Sequence, residues 1–156
     1  MAALKTQGTE LWTVATATTS AKIGRLTSVN PPSPNSDELE TTDLDSTAKE
    51  FVQGLRDYGE AQIGIFFDPA ASSNHQQLIT DFQSGVTREW LIGLSDGVTA
   101  VPAVVASSFG SPATTRSWIK FTGFIKSTPI QMATNGLATA TLTVRCSGTP
   151  VFTWKA

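Results

Sequence analysis

Asn135-Gly136-Leu137-Ala138-Thr139-Ala140-Thr141-Leu142-Thr143-Val144-Arg145 is the stretch on which the fold turns. Asn and Gly both tolerate the positive φ that a type I′ turn requires, so the pair predicts a hairpin. The residues after it repeat with period two. Ala138, Ala140, Leu142 and Val144 form an apolar side, and Thr139, Thr141, Thr143 and Arg145 a polar one. That alternation is the signature of a strand with one face in a core and the other outside it.

The same signal recurs upstream. Trp118 to Ile125 places Ile119, Phe121 and Ile125 on one side, with Trp118, Lys120, Thr122 and Phe124 on the other. Trp90, Ile92 and Leu94 share a face, and Asp96-Gly97 marks a tight turn. Val98 to Phe109 is a further apolar stretch, made edge-like by Pro102. Gln62 to Phe67 alternates and stops at Asp68-Pro69, while Leu11–Thr16 and Ile23–Val29 read as the first two strands. One helix interrupts the pattern. Ser73 and Gln76 have capping-box spacing, His75, Leu78, Ile79 and Phe82 fall on one face, and Gly85 suits a left-handed C-cap.

About seven to nine strands, one short helix and no βαβ rhythm define a mainly β protein, a β-sandwich or barrel with one flanking α-helix. Residues 1–156 are read as a single domain, with an N-terminal arm over about 1–10 and a long loop over about 30–47. Three prolines in Asn30-Pro31-Pro32-Ser33-Pro34-Asn35-Ser36 rule out a strand interior there, and the polar, acidic character continues to about Ser46. A loop of that length in a compact domain points to a partner.

Charged residues make up 15% of the chain, against a usual value of about 25%. Low charge suits a surface given over to subunit contacts, because each desolvated charge needs a partner. It also suits an ordinary β-rich protein poor in Lys and Glu. The charge that exists is segregated. Residues 37–60 carry eight acids and two bases, whereas residues 98–156 carry five bases and no acid. Opposed segments either neutralise each other within the fold or steer one copy onto the next.

The lone cysteine, Cys146, excludes an intramolecular disulfide and reads as a small buried hydrophobe. The N-terminal residues show no signal-peptide pattern, and no apolar run is long enough to span a membrane, so synthesis and folding in a cytoplasm are expected. His75 is the single histidine and lies on the apolar face of the predicted helix, where packing is expected instead of catalysis. No phosphate-binding loop, CxxC pair or nucleophile elbow is present. The acids Asp37, Glu38, Glu40, Asp43 and Asp45 lack the glycine and glutamate spacing of a calcium loop. Neither catalytic residues, nor cofactor, nor metal are expected. Trp12, Trp90, Trp118 and Trp154 read as core or interface anchors.

One ordered set of motifs is more specific. An IGRLTSV strand leads through a proline-bearing gap into DELETTDL, then KEFVQGLRDYGE, then a strand ending at Phe67-Asp68-Pro69. The helix with Gln77 and Leu78, Trp90 and the Ser95-Asp96-Gly97 turn follow in order. Over about residues 9–127 this resembles the tail tube proteins of long non-contractile phage tails, the lambda-type branch. The resemblance implies a structural, non-enzymatic subunit of the virion tail, made in the bacterial host cytoplasm. Six copies would form a ring, and stacked rings a hollow tube that conducts double-stranded DNA. Partners implied are other copies of itself and the tail tip or initiator, tape measure and tail terminator proteins. The loop after the second strand would reach a neighbour, which makes Pro31, Pro32, Asp37, Glu38, Glu40, Asp43 and Asp45 the expected interface. A Ser/Thr-rich face, with Thr139, Thr141 and Thr143 as candidates, would line the lumen. The alternatives are a monomeric β-sandwich binding module for carbohydrate or a host surface, or another virion component such as a connector or baseplate protein.

Overall fold

A computed structural model describes residues 3–98 and 100–156. In chain order the strands are β1 Glu10–Val14, β2 Ser20–Ile23, β3 Leu26–Asn30, β4 Asn35–Glu40, β5 Phe51–Asp57 and β6 Glu60–Phe66. Helix α1, His75–Ser84, separates them from β7 Thr87–Gly93, β8 Val104–Val105, β9 Ser108–Phe109 and β10 Trp118–Ser127. The last three are β11 Ile130–Gln131, β12 Thr139–Cys146 and β13 Val151–Thr153.

Nine strands form one antiparallel sheet in the order β2-β1-β7-β10-β12-β6-β3, with β11 beside β12 and β13 beside β10. The two ends of that order, β2 and β3, are neighbours in sequence. Ile23 and Leu26 are three residues apart, which limits their separation to roughly 10 Å. The sheet therefore curls into a barrel-like shell. Its concave side holds the main core, drawn from nearly every strand, with Leu11, Ile63, Trp90, Phe121, Leu142 and Val144 among its members. Leu78 of α1 packs onto this core, and His75 is buried beside it. A second cluster lies on the convex side, where Trp12, Leu91 and Trp118 are covered by Val104 and Phe109 of the β8–β9 hairpin. Strand β1 and the second half of β7, from Trp90 to Gly93, are thus buried on both faces.

Curling explains one departure from the sequence reading. Ile23–Val29 is not one strand but two, broken at Gly24-Arg25, where Arg25 takes φ 56°. The Arg25 side chain pairs with Asp68 at 2.7 Å, and its carbonyl accepts the Phe66 N–H. The corner that closes the shell is set by this left-handed residue.

The helix start also differs. A 3₁₀ turn, Ala71–Ser73, precedes α1, and Asn74 at φ 61° is the N-cap without a side-chain cap. The Ser73 hydroxyl donates to the carbonyls of Asp68 and Ala70 and accepts the His75 N–H, while Gln76 donates to Pro69 O. The capping box does not form because the 3₁₀ turn takes both side chains. Gly85, at φ 65°, is the expected left-handed C-cap. His75 and Leu78 are buried as expected, but the face continues through Asp81, and Phe82 is exposed. Asp81 receives Arg88 Nε and Nη2, and Arg88 Nη1 donates to Val14 O, so an ion pair ties the helix to β1.

Two turns are realised differently from their signals. The β11–β12 hairpin exists, but Asn135 alone has positive φ and the Gly136 N–H bonds Ala133 O, so the turn is not type I′. Asp96-Gly97 opens a long excursion between the paired strands β7 and β10 instead of a hairpin. The Asp96 carboxylate closes its base by accepting from the Ser117 N–H and hydroxyl, bonds that hold its pKa below the usual range. The expected apolar stretch over 98–109 includes Thr99, and the expected N-terminal arm includes residues 1–2; these three positions lie outside the described residues.

Candidate assembly interface

The segment read as a loop over about 30–47 contains a strand. β4 pairs with β5 in a separate two-stranded sheet, with Leu39 opposite Val52, Glu40 opposite Phe51 and Glu38 opposite Gln53. Together they make an arm standing off the body. None of its strand residues is buried. Asp37, Glu38, Glu40, Asp43 and Asp45 are all exposed on it, as is Pro31, whereas Pro32 is buried within the subunit.

The tip of the arm is ordered by its own acids. Asp43 Oδ1 accepts the Ser46 hydroxyl at 2.8 Å and the Asp45 N–H at 3.1 Å, and these bonds hold the Asp43 carboxyl below its ordinary pKa. Between them Leu44 projects with its whole surface in solvent, 105% exposed.

The root is equally defined. Gly59 takes φ 66°, and a side chain there would meet Ser33 O at 2.8 Å. Its N–H donates to Asp57 Oδ1, and Arg145 Nη2 holds both Asp57 oxygens at 2.9 and 2.7 Å. The Gly59 N–H and then Arg145 lower the Asp57 pKa, and Asp57 raises that of Arg145 in return. Lys126 pairs with Glu60 at 2.5 Å. The opposed charge segments therefore neutralise each other at the root of the arm. Beyond the root, Glu40 has Lys49 at 3.7 Å, and the other acids of β4 and the tip are exposed and make no ion pair among the described residues.

The convex side of the sheet over β3, β6 and β12 has a different character. Thr141 lies across from Gly64, which pairs with Ser28, and Thr143 lies across from Gln62, which pairs with Asn30. Thr139, opposite Phe66, completes the row. Thr141 is exposed and Thr139 and Thr143 are half-buried. Charges appear on this face at one end, where they are the paired Arg145, Asp57, Lys126 and Glu60. Two of the sheet's open edges among the described residues flank this face. β3 has β6 on one side and no strand on the other, while β11 and the end of β10 beyond Phe124 run past Thr87, the first residue of β7.

The candidate chemical residues are structural. His75 Nδ1 accepts the Asp68 N–H at 3.0 Å and Nε2 donates to Gly24 O at 2.8 Å, a tautomer locked at the sheet corner. Cys146 is buried, and burial pushes its thiol pKa up. Trp12, Trp90 and Trp118 are in the core, and Trp154, 66% exposed, is the one tryptophan among the described residues on the surface. Sequence reasoning missed Arg116. It is 1% exposed, stacks 5.2 Å from the Trp118 ring and donates to Glu10, Gly8 O, Gly93 O and Leu94 O. Nothing in its Thr-Thr-Arg-Ser context marks it as buried.

A family described as "Phage tail tube, TTP, lambda-like" matches residues 2–156. The chain belongs to this tail tube family. It is 34% identical over 158 residues to "Structural protein 3" of Pseudomonas phage PAJU2, covering 98% of this chain and 95% of that one. Among solved structures it is similar to the tail of an empty gene transfer agent particle with C6 symmetry, at TM-score 0.66 and 19% identity over 97% of this chain and 99% of that one. The SPP1 tail tube matches at TM-score 0.66 and 8% identity, covering 96% and 78%. At these identities the likeness to solved structures is one of fold. As a lambda-like tail tube protein, the chain is a structural component of the virion tail that assembles with itself into a tube, and it is not an enzyme. No helix among the described residues is long and apolar enough to cross a membrane.

Proposed function

We propose that six copies close a ring by joining the free edge of β3 to the β10–β11 edge of the next copy. In this reading the convex face of β3, β6 and β12, whose charges at one end are paired, lines the lumen, with Thr139, Thr141 and Thr143 toward passing double-stranded DNA. A head-to-tail contact that closes gives a ring, and a second contact that does not close stacks rings into a tube. Residues 1–156 act as one domain whose N-terminal arm and β4–β5 arm are its extensions, and the exposed acids Asp37, Glu38, Glu40, Asp43 and Asp45 make the second contact. Tip, tape measure and terminator proteins would meet the ends and interior of the stack.

The observation that carries the reading is a face without unpaired charge, flanked by two open strand edges. Joined edges leave no exposed ladder, and a wall free of loose Lys or Arg does not grip phosphates. Electron microscopy of concentrated pure protein tests it. Tubes with the three threonines on the channel wall are expected; threonines packed between subunits, or particles that stay single at every concentration, overturn it.

A further inference from the structure

The arm needs an acceptor, and the body of the subunit carries one that matches it. Between residues 35 and 57 the arm bears Asp37, Glu38, Glu40, Asp43, Asp45, Glu50 and Asp57 against Lys49 and Arg56. It also exposes Leu39, Leu44, Phe51, Val52 and Leu55, the last at 87%. Leu39 and Val52 share one face of the ribbon, and Phe51 lies on the other. A two-stranded ribbon with apolar side chains on both faces has no core of its own. Its acceptor must offer apolar area with positive charge around it.

β13 and the residues just after it have that composition. Phe152 and Trp154 are exposed and stack on each other, ring centroids 5.7 Å apart, and Val151 is half exposed beside them. β13 bonds to β10 along one side and presents an open edge along the other. The positive rim follows from accounting for the bases. Lys22, Arg25, Lys49, Arg88, Arg116, Lys126 and Arg145 are all in ion pairs within the subunit. Four bases remain without one among the described residues: Lys5, Arg56, Lys120 and Lys155. Arg56 is on the arm itself. Lys120, across from Val151, is on the face opposite to Phe152 and its ammonium donates to Phe109 O at 3.3 Å, so the rim is made by the other two. Lys155 follows Trp154 and its ammonium donates to Asp96 O at 2.7 Å. The Lys5 carbonyl accepts the hydroxyl of Ser95, the residue next to Asp96. Asp96 is the acid in this neighbourhood; its carboxylate accepts from Ser117 and feels the Lys155 charge, which leaves one net positive charge from Lys155, Lys5 and Asp96.

We infer that the β4–β5 arm of one copy docks on the β13 surface of another, Leu44 and its apolar neighbours covering Phe152 and Trp154, and the tip acids facing Lys155 and Lys5. This rests on the tube reading above and names the acceptor for its second contact. The occupant is a second copy, not the same chain's arm. The root of the arm, Gly54 to Tyr58, borders Cys146 to Thr149, but among the described residues β4 and β5 pair only with each other and leave their apolar residues exposed, so the arm is not folded onto its own β13 surface. The stacked aromatic pair is already rigid, which suits it to anchor a contact.

Two single-cysteine proteins, Thr47→Cys and Ala156→Cys, both in a Cys146→Ser background, test this by mixing. Assembled together and treated with a short bismaleimide, they should give a crosslinked heterodimer as the main product. Charge reversal supplies a second readout. Lys155→Glu should raise the protein concentration needed for tubes about thirtyfold or more, the lower end for breaking one buried charge contact, and Asp45→Lys in the same chain should restore it. Tubes with no heterodimer, homodimers of either variant as the main product, or tubes indifferent to Lys155→Glu overturn the docking site while leaving the tube reading intact. Wild-type protein that never forms tubes overturns both.

Discussion

Replacing Arg116 by methionine tests how the N-terminal residues are fastened to the shell. The guanidinium is buried, with Nη1 on Glu10 Oε2 at 3.0 Å, Nε on Leu94 O at 2.6 Å, and Nη2 on Gly8 O at 2.9 Å and Gly93 O at 3.0 Å. Methionine fills the volume of the stem but returns none of these donors. Breaking a buried ion pair from one side costs about 3–5 kcal/mol. Glu10 keeps Lys22 at 2.5 Å and the Trp12 indole N–H at 3.3 Å, which places the loss at the lower end. At roughly 2–4 °C per kcal/mol for a chain of this size, a loss of about 3 kcal/mol lowers Tm by about 6–12 °C. Thermal unfolding of the dilute subunit followed by circular dichroism measures it. Hydrogen exchange should rise over residues 5–9, where Gly8 has lost its donor. A Tm within about 2 °C of the parent, with unchanged exchange there, would refute the clasp.

Three further outcomes are expected. Gly59→Ala places a Cβ at positive φ and 2.8 Å from Ser33 O, and should cost about 2 kcal/mol in a denaturant titration; an unchanged midpoint would show that the root of the arm gives way. Asp43, Asp57, Asp68 and Asp96 all have folded pKa values below the ordinary 3.8. Their contribution is complete above that value and is lost as pH falls through the lower folded values, so stability should be flat from pH 8 to 5 and decline below about 4 in acid titrations. Thr141→Lys should leave tubes able to form but give them DNA binding that weakens with salt in a filter assay, and absence of binding would move Thr141 off the channel wall.

The strands legible in the sequence are those with one wet and one dry face. β12, β6 and β10 alternate because each lays alternate residues on the concave core. The arm is hidden for the opposite reason: with neither face of β4 or β5 buried, nothing forces apolar residues into register, and Asn35–Glu40 reads as an acidic loop. The corner at Arg25 is invisible because IGRLTSV is locally a good strand, and the break comes from closing the shell. Arg116 escapes recognition because burial of a charge depends on Glu10, 106 residues away. The neutral row of threonines is readable. The pairing of Arg145 with Asp57, which removes the charge at the end of that row, requires the fold.

The lack of any core within the β4–β5 ribbon also bears on when polymerisation begins. Fixing such a ribbon costs conformational entropy that a single encounter between two free subunits repays poorly. A growing end that already presents acceptors for the arm would repay it at every addition. Docked as inferred above, the arm would be a kinetic brake, keeping the soluble pool of subunits dormant until a template exists and then allowing rapid elongation from it.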